Sequence, residues 1–347
     1  MIRYGREYFY DAVAHTGCYP FDEALEVTSQ ISAGLTRTLV KLCARLPYEE
    51  AVEVYGELTG VTVSVSTAWQ RTQAIGQRAR PALDSLPSMK PTHPNATGIG
   101  ISMDGCMANV REEGWKEIKA GVTFEVSVHP DRPRINQQKE AIPNVYAHQQ
   151  SYVLHLGGPE GFGVKLATEA LARHWASADQ SVVIGDGAVW IWKLAARDYP
   201  SSAHVVDWYH AKHHLCCAAE LLFPNAPDQA EIWLQKHADL LYAGKANEIA
   251  QHLYLAAALA KPDLKDDLET EAGYFADNHE RMQYRDFQLA GLPIGSGTVE
   301  SAAKQTKHRV SAAGMRWSRE GLENLLPLRA ALMSGSLDAF WQQIAPL

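Results

Sequence analysis

Apolar and polar positions alternate with different periods along this chain, and the changes of period divide it. Residues 1–30 are rich in aromatics and show no regular period, so they read as an irregular segment. Residues 31–78 read as helical. Within 47–58 the apolar positions Ala51, Val54, Tyr55 and Leu58 recur at the spacing of one helix face. Gly60 breaks that run, and Ser64 or Ser66 stands where a second helix to about Ile75 would take its cap. Two short helices about a glycine turn predict a small helix-turn-helix-like domain over 31–78. Four prolines follow in 79–97, which reads as a linker.

From 98 the period shortens. Residues 98–105, 115–128 and 152–156 each read as a strand, with a polar loop over 129–150. Glycines at 157, 158, 161 and 163 lead into a helix over 164–176, and no Gly-Lys-Ser/Thr follows to make a phosphate loop. Strand 181–185, a helix, strand 203–206 and further helices come next. Residues 211–292 show only helical spacing, as at Ile249, Leu253, Ala256 and Ala257, and predict an all-helical insertion. Another helix is expected over 298–312. The fold class is therefore α/β. Three successive strands followed by alternating helices and strands is the ribonuclease H-like order, which predicts a mixed five-stranded sheet. Its catalytic core would occupy 98–210 and be completed by 293–347.

The chain of 347 residues is 46% hydrophobic, enough for a sizeable core in two or three domains. Its formal charge of −8 argues against a surface coated in positive charge, but leaves nucleic acid open as a partner, because a nuclease site is itself acidic. The five cysteines, an odd number without a Cys-x-x-Cys, fit reduced thiols better than a disulfide framework. No secretory leader and no long apolar run stands in the sequence, so a cytoplasmic, nucleoid-associated protein away from membranes is expected.

Two short apolar runs, 182–184 and 204–206, lead into aspartates, Asp186 and Asp207. A strand followed by Gly-Asp-Gly and a helix puts a carboxylate at the carboxyl edge of a sheet, where α/β folds gather ligand-binding groups. Asp104 likewise ends the first strand, and in this fold order its edge lies beside that of Asp186. A third carboxylate is wanted on a later helix; Glu300, in PIGSGTVESAAKQ, opens one. Carboxylates alone select hard cations, Mg²⁺ or Mn²⁺, and two such ions can serve an in-line phosphoryl displacement.

SMDG with the following GWKEIKAG, then GDGAVWIW, VVDWYHAKHHL and GSGTVESAAKQ with GMRWSREG, occur in that order. Together they resemble the ISKra family of bacterial insertion-sequence transposases, related to the Mutator-like group of DDE transposases, from about residue 30 onward. The resemblance implies a ribonuclease H-like catalytic domain with an all-α insertion, and Asp104, Asp186 and Glu300 as the DDE triad and the holders of two Mg²⁺ or Mn²⁺ ions. It also implies that Asp207 and His210 form an accessory Cys/Asp-x-x-His element. The partners it implies are the element's DNA ends and target DNA, bound by a homodimer or higher oligomer. Relatives often carry a Cys-x-x-Cys-like element near the N-terminus; here Cys18, Pro20 and Asp22 stand without the pair, as expected of a shortened copy or a lost metal knuckle.

DNA contacts are expected from Thr67, Gln70, Arg71 and Gln73 in the second helix of the N-terminal domain. A basic track of Lys304, Lys307, Arg309, Arg316 and Arg319 follows Glu300, and all five on phosphate would give a salt slope of roughly −4 to −5. Trp190 and Trp192 read as core packing in preference to base stacking. Zinc at His210, His213, His214, Cys216 and Cys217 is disfavoured, because adjacent cysteines point to different faces. The expected function is metal-dependent hydrolysis at the element ends, then transfer of the freed 3′-OH into target DNA. A nuclease of the same fold that does not transpose, or a non-catalytic DNA-binding derivative, are the alternatives.

Overall fold

The computed structural model describes residues 7–20, 27–28, 31–84, 92–93, 96–136 and 138–344. Asp22 and much of the proline-rich stretch lie outside the described residues. Four short strands come first: β1 (Phe9–Asp11), β2 (Thr16–Cys18), β3 (Val27–Thr28) and β4 (Ile31–Ser32). Helices α1 (Ala33–Arg45), α2 (Tyr48–Thr59) and α3 (Val65–Asp84) follow. The central strands are β5 (Gly98–Val110), β6 (Gly114–Ile135), β7 (Ala141–Leu156), β8 (Ser181–Gly185) and β9 (Ala203–Val206). Helix α4 (Pro159–Ala172) lies between β7 and β8 in the chain, and α5 (Val189–Asp198) between β8 and β9. The remainder is helical: α6 (Trp208–Leu222), α7 (Pro227–Tyr242), α8 (Ala246–Leu259), α9 (Pro262–Asn278), α10 (Tyr284–Leu289), α11 (Gly297–Val310), α12 (Arg319–Met333) and α13 (Leu337–Ile344).

The chain forms two compact units, one of residues 1–85, 108–116 and 306–347, the other of 86–107 and 117–305. In the first unit the segment expected to be irregular forms two hairpins, β1 with β2 and β3 with β4. Strands of two or three residues are too short to show a period. Ser32 caps α1 by accepting from the Leu35 amide, Gly60 ends α2 at φ 67°, and Ser64 accepts from the Thr67 amide to start α3. Leu39, Cys43, Ala51, Tyr55 and Ala68 form the core among these helices. Helix α3 runs to Asp84, into the stretch read as a linker. A second cluster joins Val40, Ala44, Ile75 and Ala79 to Leu328, Ala331, Phe340 and Trp341. Residues 319–344 thus pack on the N-terminal helices and do not complete the catalytic core as expected. Helix α12 is buried over most of its length, including its polar Asn324 and Arg329. A helix buried around most of its surface, polar positions included, does not reveal its partner by periodicity.

The second unit is built on a mixed five-stranded sheet of order β7-β6-β5-β8-β9. β6 and β7 are antiparallel, while β8 runs parallel to both β5 and β9. Three residues join β5 to β6, too few for a crossover, so that pair is antiparallel as well. Val182, Val183 and Ile184 are fully buried, as a central parallel strand requires. Helix α4 lies on β6: a Cβ added to Gly121 would meet Leu166 at 2.7 Å. The polar loop expected over 129–150 is instead a continuation of the β6–β7 ribbon, closing at Ile135↔Ala141. Much of that ribbon is exposed and carries no alternating apolar face to read. Residues 208–289 are helical, without a strand. Among the described residues no helix is long and apolar enough to cross a membrane.

Candidate active site

Three aspartates stand in one row across the sheet: Asp186 and Asp207 just past the carboxyl ends of β8 and β9, and Asp104 midway along β5, which does not end there as expected but runs on to Val110. The β5–β8 ladder runs in steady register to Ser102↔Ile184, and the Ser102 hydroxyl donates to the Ile184 carbonyl. Two residues further, the same register sets Asp104 level with Asp186. The β8–β9 ladder ends at Gly185↔Val206, and one residue further Asp186 is level with Asp207. The Asp207 amide extends that ladder by donating to the Gly185 carbonyl at 2.8 Å. Level residues on parallel strands share a sheet face.

Each carboxylate has a different setting. Asp104 is half-buried and accepts from the Gly105 amide at 2.6 Å. Burial pushes its carboxyl up to about 6; the Gly105 amide opposes this, and the negative charges of Asp186, Glu300 and Glu117 add to the rise. Asp186 accepts from the Ala188 amide at 2.9 Å in the turn that enters α5. Its own carbonyl accepts from the Tyr274 hydroxyl at 3.1 Å. Gly187 sits at φ 108°, with Tyr274 2.7 Å from where a Cβ would be, so both backbone and space demand glycine. Glu300 lies exposed in the first turn of α11, with its carboxylate 2.6 Å from Lys304 Nζ.

Asp207 is 5% exposed and caps α6. One oxygen accepts from the His210 amide at 2.7 Å, the other from the Ser296 amide at 2.5 Å. The Trp208 amide donates to the Ile294 carbonyl at 2.9 Å. Ser296 in turn begins α11, its carbonyl accepting from the amides of Val299 and Glu300. Burial lowers the His210 pKa; Asp186 opposes this, His214 reinforces it, Asp207 opposes it and His213 reinforces it. Burial thus favours the uncharged ring of His210, which lies near enough to Asp186 to feel its charge. His214 stacks on Tyr274 at 3.6 Å and pairs with Glu271 at 2.8 Å. Helix α9, which carries Tyr274 and Glu271, is thereby tied to the aspartate row.

Two residues escaped the sequence reading. Lys119 on β6 is buried, 2.5 Å from the Glu117 carboxylate and 4.0 Å above the Trp190 ring. Glu117 presses on the backbone beside Asp104: a Cβ at Gly105 would lie 2.2 Å from its Oε1. The signal was present in GWKEIKAG, where Glu117 and Lys119 stand two apart and so share a strand face.

The expected DNA contacts divide. Gln70 is exposed on α3, but Arg71 is half-buried and Gln73 is engaged with α12, through the Gly321 carbonyl and Asn324. Arg309 is buried, donating to the Cys43 carbonyl at 2.8 Å beneath the rings of Tyr48 and Trp317. It holds the first unit together and is no phosphate contact. Arg319 makes a two-pronged pair with Glu113 and reaches Glu323. Lys304 is paired with Glu300, whereas Lys307 and Arg316 are exposed. Trp190 packs on Phe162, and Trp192 is 7% exposed against His204. Among the described residues no three His, Cys, Asp or Glu side chains are gathered tightly enough to form a ready-made metal cage. His213, His214, Cys216 and Cys217 form none either.

No curated protein matches this sequence. A family model described as an uncharacterised protein family, UPF0236, matches residues 166–341. That span is half of the chain and holds Asp186, Asp207, His210 and Glu300, while Asp104 precedes it. The chain therefore belongs to the uncharacterised protein family UPF0236.

Proposed function

We propose that this protein is a DNA transposase of the DDE type, resembling the ISKra and Mutator-like enzymes, with a ribonuclease H-like catalytic unit. The observation that carries the reading is the Asp104 carboxyl, level with Asp186 on the next parallel strand and raised by burial and by the charges of Asp186, Glu300 and Glu117. A fold gains no stability from such an arrangement. A polyanionic edge of this kind is suited to a cation and a phosphodiester. The strand order, an antiparallel trio extended by two parallel strands, agrees with the proposed fold.

The donor chemistry fits a hard divalent cation: every candidate ligand is a carboxylate oxygen, and Asp104 carries an electrostatic cost that such an ion relieves. Asp104, Asp186 and Glu300 would hold Mg²⁺ or Mn²⁺. Bound there, one or two such ions would activate the attacking oxygen and neutralise the leaving one. The protein's own groups do the rest. Tyr274 fixes the backbone of Asp186, and Gly187 leaves room for it. His210, whose uncharged form burial favours, would offer a ring nitrogen for hydrogen bonding to a phosphate or water. Glu300 leaves Lys304 at little cost, because an exposed ion pair contributes under about 1 kcal/mol. Water then attacks first, and the freed 3′-OH attacks target DNA at the same site, without a covalent enzyme–DNA intermediate.

The test is Mg²⁺-dependent cleavage and joining by the wild type and by Asp104→Asn, Asp186→Asn and Glu300→Gln. The reading requires both reactions in the wild type and neither in the variants. Cutting without joining assigns a nuclease, and binding without cutting a DNA-binding derivative.

A further inference from the structure

Asp207 stands in the same row as Asp104 and Asp186, yet its chemistry differs from theirs. Both of its oxygens accept backbone amides, from His210 at 2.7 Å and Ser296 at 2.5 Å, and the side chain is buried. Lone pairs used in this way are not offered to an ion. The two amides belong to segments remote in sequence: the first turn of α6 and the loop entering α11. Beside the clamp, the Trp208 amide holds the Ile294 carbonyl, and a Cβ at Gly295 would lie 3.8 Å from Asp207 Oδ2. Ser296 is the residue on which α11 starts, and Glu300 is one turn further, its amide on the Ser296 carbonyl.

We propose that Asp207 is a positioning residue: it clamps the 294–296 loop to the end of β9 and so sets where Glu300 stands relative to Asp104 and Asp186. The role of the clamp toward Glu300 rests on the functional reading above, while the clamp itself does not. A carboxylate is the group the geometry demands, because it presents two acceptors to two N–H donors. Asparagine can satisfy only one, and its NH₂ then faces the other N–H, donor against donor. Serine lacks the second acceptor altogether.

Hydrogen exchange on the full chain, without metal or DNA, reads the clamp directly. Asp207→Asn is expected to speed exchange of the amides at 296–300 at least tenfold while amides in β5 and β8 keep their protection. Ser296→Pro deletes the other partner of the same bond; amides 297–300 should loosen equally, with no further change on adding Asp207→Asn. Unchanged exchange at 296–300 in Asp207→Asn, with the protein folded, overturns the clamp. If Asp207→Asn loosens every segment together, the residue serves the fold at large and the clamp is again overturned.

Mn²⁺ titration followed by electron paramagnetic resonance reads the consequence. Asp207→Asn should weaken binding about tenfold in the wild-type background and not at all in Glu300→Gln. An equal loss in both backgrounds overturns the positioning of Glu300. If the wild type binds no Mn²⁺, the functional reading falls and the positioning role falls with it. The exchange experiment still decides whether the clamp exists.

Discussion

Asp104 and Asp186 stand level on neighbouring parallel strands, in the register that unites β5 and β8, and the charge of Asp186 adds to the rise that burial imposes on the Asp104 carboxyl. The pair has a consequence for stability. Asp104 titrates near 6 in the folded protein, above an ordinary carboxyl. The folded state therefore binds its proton more tightly than the unfolded state does. Its contribution to stability is fully present below about pH 4 and is lost as pH rises through 6. Thermal melts of metal-free protein should show Asp104→Asn more stable than wild type at pH 7.5, by about 1–2 kcal/mol after screening at a half-buried site, and no different at pH 4. Equal stability at both pH values contradicts the electrostatic description of the row.

Divalent cation should offset that difference. Mg²⁺ or Mn²⁺ at ten times its dissociation constant adds about 1.4 kcal/mol to the folded state. The gain should be seen in the wild type at pH 7.5, shrink at pH 5, where Asp104 is protonated, and be absent in Asp186→Asn. Melting temperatures against metal concentration at the two pH values measure it.

Lys119 stands between Glu117 and the Trp190 ring, buried at the edge of the aspartate row. Lys119→Met keeps the stem on the indole and removes the charge. The loss should be about 1–3 kcal/mol of stability. With Glu117 no longer neutralised, the Asp104 midpoint should rise further. Carbon-detected titration of the aspartate carboxyls would show the shift; an unmoved midpoint would separate Glu117 from the site.

Much of this arrangement was readable in advance, and the reasons differ from residue to residue. Asp186 follows a buried apolar strand as its local pattern indicates, whereas Asp104 lies midway along β5, whose continuation to Val110 the sequence pattern does not show, and their levels follow once the strand order is known. The Gly60 and Ser64 signals worked because caps are local chemistry. Arg309 was misread because burial of a cation depends on Tyr48, Trp317 and Cys43, which no local window contains. Lys119 hid in a strand whose polar positions look solvated until Trp190 covers it, and Glu117, still partly exposed, became visible only as its partner. The clamp at Asp207 joins residues from opposite ends of the helical insertion, so only the folded chain reveals it.

The burial of Arg309 and the pairing of Arg319 change the expectation for DNA. With Lys304, Lys307 and Arg316 as exposed cations of that stretch, its share of the salt slope should be about −3 instead of −4 to −5. Removing all three should flatten the slope of log binding constant against log salt by that amount. Arg309→Ala should instead cost about 3 kcal/mol or more in thermal stability.

Tyr274 links the helical insertion to Asp186 by one hydroxyl. Tyr274→Phe keeps the stack on His214 and loses the bond, at about 1 kcal/mol. Exchange at Gly187 and Ala188 should quicken while α9 stays protected; a melt and an exchange map suffice to check it.

The most direct measurement is cleavage of a supercoiled plasmid that carries the coding sequence with its native flanking DNA. The wild type with Mg²⁺ or Mn²⁺ should cut near the ends of the element, leave 3′-OH termini, and stop when the metal is chelated. Asp186→Asn, folded and able to bind the same DNA, should not cut at all. Full cleavage by Asp186→Asn, or a wild type that cuts nothing with either metal, contradicts the assignment of the row as the catalytic centre.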